Sequence, residues 1–311
     1  VKPEVRRAAE VLKRGGLVAF PTETVYGLGA DAASAAAMAR LYAAKRRPAD
    51  HPVIVHFADA ETAFSWAREV PQGARKLAAK FWPGPLTLIL KKSAKAGDFV
   101  TGGQDTVGLR VPAHPVAQEL LRAFGGGIAA PSANRFGQVS PTTAAHVRED
   151  LGADAELVLD GGPSEVGIES TIVDLSGSQA VLLRPGRVSV AELETVLGSR
   201  VLAKQSDSPR HSGGLERHYA PRTPARLVPT HELDQEIARL GGKVAVLAFS
   251  RPDERVDYWL RMPREPKAYA QKLYAALREL DSAHCAMILV EAPPEAPEWA
   301  GVRDRLERAT G

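Results

Sequence analysis

Several short stretches of the chain concentrate residues that bind anions and polarise small substrates. Lys45-Arg46-Arg47-Pro48 joins the planar fork of arginine to the point charge of lysine. That pairing suits a polyphosphate, although basic residues at a helix end also follow from the helix dipole. Arg110 interrupts the apolar run Val107-Gly108-Leu109-Arg110-Val111. On a buried face it needs an anion, and a substrate carboxylate would serve. His56, inside Val53-Ile54-Val55-His56-Phe57, is either a ligand or a satisfied structural histidine. Phe20-Pro21-Thr22-Glu23-Thr24-Val25-Tyr26-Gly27-Leu28-Gly29 packs hydroxyls, a carboxylate and a phenol into what reads as a strand-to-helix connection. Pro131-Ser132-Ala133-Asn134 and Ser140-Pro141-Thr142 set hydroxyls before a helix, as phosphate ligands or as turn and cap residues. Gly167-Ile168-Glu169-Ser170-Thr171 and Leu183-Arg184-Pro185-Gly186 add Ser170, Thr171 and Arg184 at strand ends. The density of these groups at the strand ends of one sheet outweighs any one of them.

The chain lacks G-x-x-x-x-G-K-[ST], G-x-S-x-G, H-E-x-x-H and C-x-x-C, so neither a covalent nucleophile nor a protein-held metal is advertised. Gly27-Leu28-Gly29-Ala30-Asp31-Ala32 matches G-x-G-x-x-A ahead of a helix, with Asp50 and Asp59 downstream. Residues 21–26 separate those glycines from the preceding strand, whereas a dinucleotide turn follows its strand directly. Dinucleotide binding stands as a minor rival.

The elements that must hold these groups alternate. Apolar spacing predicts helices at 4–13, 34–46, 73–81, 114–124, 142–150 and 190–197, and strands at 17–20, 53–57, 86–90, 107–111, 171–175 and 181–183. This is an α/β pattern with a sheet covered on at least one face. Residues 203–224 read as a linker, but Arg217-His218-Tyr219-Ala220-Pro221-Arg222 is not ordinary flexible filler. Strands at 243–249 and 285–290, with helices at 231–240, 266–280 and 298–309, form a smaller α/β unit.

The expected organisation is a first domain over 1–202, a linker over 203–224 and a second domain over 225–311, as a length of 311 residues suggests. Lys and Arg number 40 against 37 Asp and Glu, a net charge of +3 too mild to argue nucleic-acid binding alone. One cysteine, Cys285, excludes an internal disulfide framework. The first residues lack the apolar run of a secretory signal, and a cytoplasmic protein without membrane attachment is expected.

Taken in order, Phe20–Leu28, Lys45–Pro48, Pro52–His56, Trp82-Pro83-Gly84-Pro85-Leu86-Thr87-Leu88, Gly108–Pro112, Pro131–Asn134, Ser170–Asp174, Arg184–Gly186 and His218–Pro221 resemble the threonylcarbamoyl-AMP synthases, the YrdC-type family, in its longer two-domain form. The resemblance implies a YrdC-like twisted open α/β sheet domain followed by a smaller Rossmann-like α/β domain. It implies that L-threonine, bicarbonate and ATP, with Mg²⁺, give threonylcarbamoyl-AMP and pyrophosphate. Partner proteins then transfer the group to transfer RNA, and direct contact with transfer RNA is expected to be weak at most.

By position, Thr24, His56, Arg110, Ala130 and Ser170 match a threonine pocket with Arg110 on the carboxylate. Arg47, His51, Thr106, Ser132, Ser140, Arg184 and Tyr219 match nucleotide contacts. Lys45 with Arg47, and Ser132 with Asn134, match the K-x-R and S-x-N pairs assigned to catalysis, and no protein metal ligand is implied. Position 51 departs from the family, being His where Asn is common. The linker would close over the nucleotide through Tyr219. Carbamoyl transfer of the hydrogenase-maturation type uses a related domain but carries zinc-binding cysteine motifs, and an RNA-binding module would need a stronger basic face.

Overall fold

The computed structural model describes every residue except Gly242. One mixed sheet carries β1 (Val18–Phe20), β2 (Gly27–Asp31), β3 (Ile54–His56), β4 (Leu86–Lys91), β5 (Thr106–Arg110), β6 (Ile128–Ala129), β7 (Leu157–Val158), β8 (Thr171–Asp174), β9 (Val181–Arg184) and β10 (Leu202–Ala203). Their order is β10-β9-β8-β4-β5-β3-β6-β2-β1-β7. A second sheet holds β11 (Ala225–Val228), β12 (Val244–Ala248), β13 (Tyr258–Arg261) and β14 (Met287–Glu291), all parallel, in the order β11-β14-β12-β13.

The first sheet is accompanied by α1 (Pro3–Lys13), α2 (Ala35–Lys45), α3 (Ala60–Phe64), α4 (Gln72–Phe81), α5 (Asp98–Thr101), α6 (Pro115–Phe124), α7 (Ala144–Leu151) and α8 (Val190–Leu197). The second is accompanied by α9 (Leu233–Arg239), α10 (Pro266–Ser282) and α11 (Ala300–Thr310). The fold is thus two-domain α/β. Among the described residues, no helix is long and apolar enough to cross a membrane.

Strand alternation sorts the middle of the large sheet into two unlike faces. Val53, Val55 and Phe57 of the β3 segment, with Val107, Leu109 and Val111 around β5, point into the main apolar core. Ile54, His56, Gly108 and Arg110 point the other way. Parallel pairing puts His56 opposite Arg110 and Ile54 opposite Gly108, so the two polar side chains stand side by side. Sequence patterning favours strand ends for the chemistry, and the structure agrees: His56, Arg110 and Arg184 are the last residues of β3, β5 and β9, and Ser170 directly precedes β8.

One difference concerns residues 27–31. The expected loop is strand β2, antiparallel to β1 with Phe20 opposite Gly27 and Val18 opposite Gly29. A Cβ on Gly29 would come within 2.9 Å of both Ile128 Cγ2 and the Phe20 ring. Close packing inside the sheet therefore explains the glycines, and the dinucleotide turn they mimic does not form. Strands β6, β7, β10, β11 and β13 and the short helices α3 and α5 lie where apolar spacing predicts no element.

The two domains share apolar packing. Val25, Val139 and Ile168 of the first, and Tyr219 of the linker, lie in one cluster with Tyr269, Leu273, Leu277 and Leu306 of the second. Arg278 on α10 spans the junction, bonding Asp150 at 2.9 Å and the Val139 carbonyl at 2.6 Å.

Candidate active site

The polar face of β3 and β5 floors a cavity whose lining includes Thr24, Arg47, His56, Arg110, Ala130, Ser132, Glu169, Ser170, Arg184, His218 and Tyr219. The linker roofs it through Ser212, Gly213, His218 and Tyr219.

Arg110 is 4% exposed. Its Nη2 donates to Glu23 Oε1 at 2.6 Å, Nη1 to Thr24 Oγ1 at 2.9 Å and Nε to the Gly84 carbonyl at 3.3 Å. A guanidinium has five N–H donors. Three are engaged, so two remain for a ligand. Glu23 also accepts from the Ala113 amide at 3.0 Å, which fixes the carboxylate that aims the arginine. His56 is buried and its Nδ1 has no partner. Burial, and then the neighbouring Arg110, pull its pKa down to about 3, so the imidazole is neutral at physiological pH.

On the other side of the cavity Arg184 reaches the Ser170 carbonyl at 3.0 Å, Ser170 Oγ at 3.2 Å and the Ser212 carbonyl of the linker at 2.9 Å. Ser170 Oγ lies 2.8 Å from Thr87 Oγ1. Arg47 donates to the Pro52 carbonyl at 2.7 Å and stacks over Phe136 at 5.3 Å. Burial lowers its pKa to about 10. Helix α2 can deliver both Lys45 and Arg47 because Arg46 turns the chain through a left-handed C-cap, φ 54°.

Five of the expected site residues stand outside the cavity lining. Lys45 Nζ, fully buried, donates to the carbonyls of Ser132 and Asn134 at 2.5 Å each, and to Asn134 Oδ1 at 3.4 Å. Asn134 Nδ2 continues to the Gln138 carbonyl at 2.8 Å. Lys45 and Asn134 thus shape the loop that presents Ser132. Burial, with Arg47 adding to it, holds the Lys45 ammonium well below the usual lysine range. Ser140 is buried and donates to Glu169 Oε1 at 2.6 Å. Thr106 lines an adjoining hollow with Pro52, Gln104, Arg210 and Ser212. His51 packs edge-on against Phe136, centroids 5.2 Å apart.

The linker is built to lie where it does. Tyr219 adopts φ 59°, a backbone state rare outside glycine. Its hydroxyl passes so close to Gly213 that a Cβ there would sit 1.9 Å away. His218 is wedged between Phe136 and Tyr219, at centroid distances of 5.6 and 4.2 Å, with neither ring nitrogen bonded. The Ala220 amide bonds the Gly137 carbonyl at 3.0 Å, and Ser212 Oγ bonds the Pro52 carbonyl at 3.0 Å.

Sequence reasoning gave no role to Glu23 as the partner of Arg110, nor to Glu169, Tyr274 and Arg305. A trace of the last exists in the sequence: Arg305 falls on the helix stripe of Val302, Leu306 and Ala309, where an apolar residue belongs.

A small-molecule cavity with buried arginines on two sides, on an α/β sheet and under an interdomain strap, defines an enzyme that handles anionic substrates. A sequence profile of the Sua5, YciO and YrdC family, described as "Telomere recombination", matches residues 10–186. A second, described as "Threonylcarbamoyl-AMP synthase, C-terminal domain", matches residues 188–311. The chain belongs to the Sua5/YrdC family, in its two-domain threonylcarbamoyl-AMP synthase form.

It is similar to the threonylcarbamoyl-AMP synthase of Pyrococcus abyssi, 41% identical over 322 residues that cover 99% of this chain and 94% of the relative. The Bacillus subtilis threonylcarbamoyl-AMP synthase is 38% identical over 323 residues, covering 99% and 93%. A crystal structure of P. abyssi Sua5 complexed with L-threonine matches with a TM-score of 0.92 at 40% identity, covering 98% of this chain and 94% of that one. A full-length HypF shares the fold over 60% of the chain at 20% identity, with a TM-score of 0.52.

Proposed function

We propose that the cavity joins L-threonine, bicarbonate and ATP into L-threonylcarbamoyl-AMP, releasing pyrophosphate. The observation that carries this reading is the division of one roofed cavity between Arg110, with two free donors, and the pair Arg47 and Arg184.

The carboxylate of threonine takes the free donors of Arg110, with Thr24, Ala130 and Ser170 around the rest of the amino acid. His56, neutral and with Nδ1 unpartnered, accepts a hydrogen bond there rather than carrying charge. The amine condenses with bicarbonate, losing water, to give a carbamate. A carbamate oxygen attacks the α-phosphorus and pyrophosphate leaves, so no protein nucleophile is required.

Arg47 and Arg184 offset charge on the leaving group, with Ser132, Ser140, His51, Thr106 and Tyr219 disposed around the nucleotide. Lys45 holds the Ser132–Asn134 loop in place through its bonds to the two backbone carbonyls. Glu23 and Glu169, the buried carboxylates nearest the cavity, are engaged by arginines. Mg²⁺ would therefore be held by the triphosphate and water, and would supply further charge neutralisation. The linker shields the labile carbamate from water. The product passes to transfer proteins that modify transfer RNA, in the cytoplasm.

The test is pyrophosphate release by the purified protein with ATP and Mg²⁺, leaving out L-threonine or bicarbonate in turn. Release is expected only with both. Release without bicarbonate would mean simple amino-acid activation, and no release with both present would refute the reading.

A further inference from the structure

A buried carboxylate is an odd neighbour for a nucleotide. Glu169 lines the cavity, 7% exposed, immediately before Ser170 and beside Arg184. Left alone it would repel phosphate. Its partner comes from the other domain. Arg305 on α11 is 0% exposed and donates from Nε to Glu169 Oε2 at 2.7 Å and from Nη2 to the Glu169 carbonyl at 3.0 Å. Its Nη1 reaches the Pro185 carbonyl at 2.9 Å and Asp304 Oδ2 at 2.7 Å. Tyr274 on α10 adds a hydroxyl to Glu169 Oε2 at 2.8 Å, and Ser140 occupies Oε1. The Arg305 guanidinium also lies over the Tyr219 ring, 5.4 Å from its centroid.

We infer that Arg305 is a positioning residue for the nucleotide: it cancels the charge of Glu169 and, through that carboxylate and the Tyr219 ring, fixes Ser140 and the linker against the phosphate side of the cavity. The second domain is on this account a working part of the active site. Glu169 touches Ser140 and faces Arg184 and Tyr219, all on the nucleotide side, whereas Arg110, His56 and Thr24 are held by the first domain alone. The effect of losing Arg305 is therefore asymmetric between the two substrates. Burial alone would raise the Glu169 carboxyl, but Arg305 first and Arg184 next hold it down at about 2, so the carboxylate is charged in the intact protein and its charge is offset chiefly by Arg305.

The inference rests on the nucleotide reading above, and its test separates the two. Affinity for a non-hydrolysable ATP analogue is measured by calorimetry, and KM for ATP and for threonine by pyrophosphate release, in wild type, Arg305→Met, Glu169→Gln and the double variant. For Arg305→Met we expect analogue affinity and KM for ATP to worsen by about ten- to a hundredfold, the scale of one uncancelled charge nearby. KM for threonine should stay within about twofold of wild type. The double variant, which removes both charges, should bind the analogue within about threefold of wild type.

Parallel loss for both substrates, unchanged ATP affinity in Arg305→Met, or no rescue by Glu169→Gln would each overturn the inference. If Arg305→Met does not fold, the double variant decides: it must fold and bind the analogue, and its failure to do so counts against the inference. A wild type that binds the analogue without releasing pyrophosphate would refute the proposed reaction and leave the Arg305 test standing.

Discussion

The two faces of β3 and β5 are made by alternate residues of the same short segments, yet they serve opposite ends. One presents Val55 and Leu109, both fully buried, to helices and an apolar core. The other presents His56 and Arg110 to a cavity roofed by a strap of linker. Stability is thus concentrated on the face that helices cover, and chemistry on the face they leave open. One residue's shift in register would exchange the two, so the core fixes the geometry of the site.

Breaking this division at Arg110 should have the largest effect. Arg110→Ala is expected to raise KM for threonine by about a hundredfold or more while ATP binding persists, the scale of a lost buried charge-assisted pair. It also leaves Glu23 buried without its partner, at a cost of about 3–5 kcal/mol in stability. Substrate-dependence curves paired with urea denaturation check both. Leu109→Ala, one residue away on the other face, should cost a similar 2–5 kcal/mol through its cavity but leave both KM values unchanged. A shifted threonine KM in Leu109→Ala would dissolve the distinction between the faces.

Gly213→Ala tests the strap. Its Cβ would collide with the Tyr219 hydroxyl, so the linker should fail to seat. Turnover should fall about tenfold, and the melting temperature should fall as well, since Tyr219 packs in the apolar cluster between the domains. Full turnover in this variant would mean that the strap is not needed closed.

Acid should act more gently and in the same place. His211 and His218 of the linker, and His56 beneath it, all have pKa values lowered to about 3, burial being the main cause. Groups depressed below their ordinary value of about 6.5 contribute stability that is whole above that value. It drains as pH falls from 6.5 toward 3, because the released linker takes up protons that the seated one refuses. Limited proteolysis within 204–221 should therefore quicken between pH 7 and 5, before global unfolding. A cleavage rate independent of pH over that range would contradict this.

Much of the site could be read from residues that violate their local pattern. Arg110 and His56 in apolar strands, and Arg-His-Tyr in a linker, are each polar where the pattern asks otherwise. Strand β2 was hidden because Gly27-Leu28-Gly29 has low strand propensity and is held by its neighbours' packing. The link between Glu169 and Arg305 was hidden for a different reason. It joins residues 136 positions apart, and only the docking of the two domains brings them together. Local spacing carries no record of such a pair beyond one arginine out of place on a helix.

The most direct test of the account is to supply ¹³C-bicarbonate with L-threonine, ATP and Mg²⁺ and to weigh the nucleotide product by mass spectrometry. A labelled adduct of AMP, threonine and one carbonyl carbon is the predicted result. An unlabelled threonyl adenylate, or ATP recovered unchanged, would contradict it.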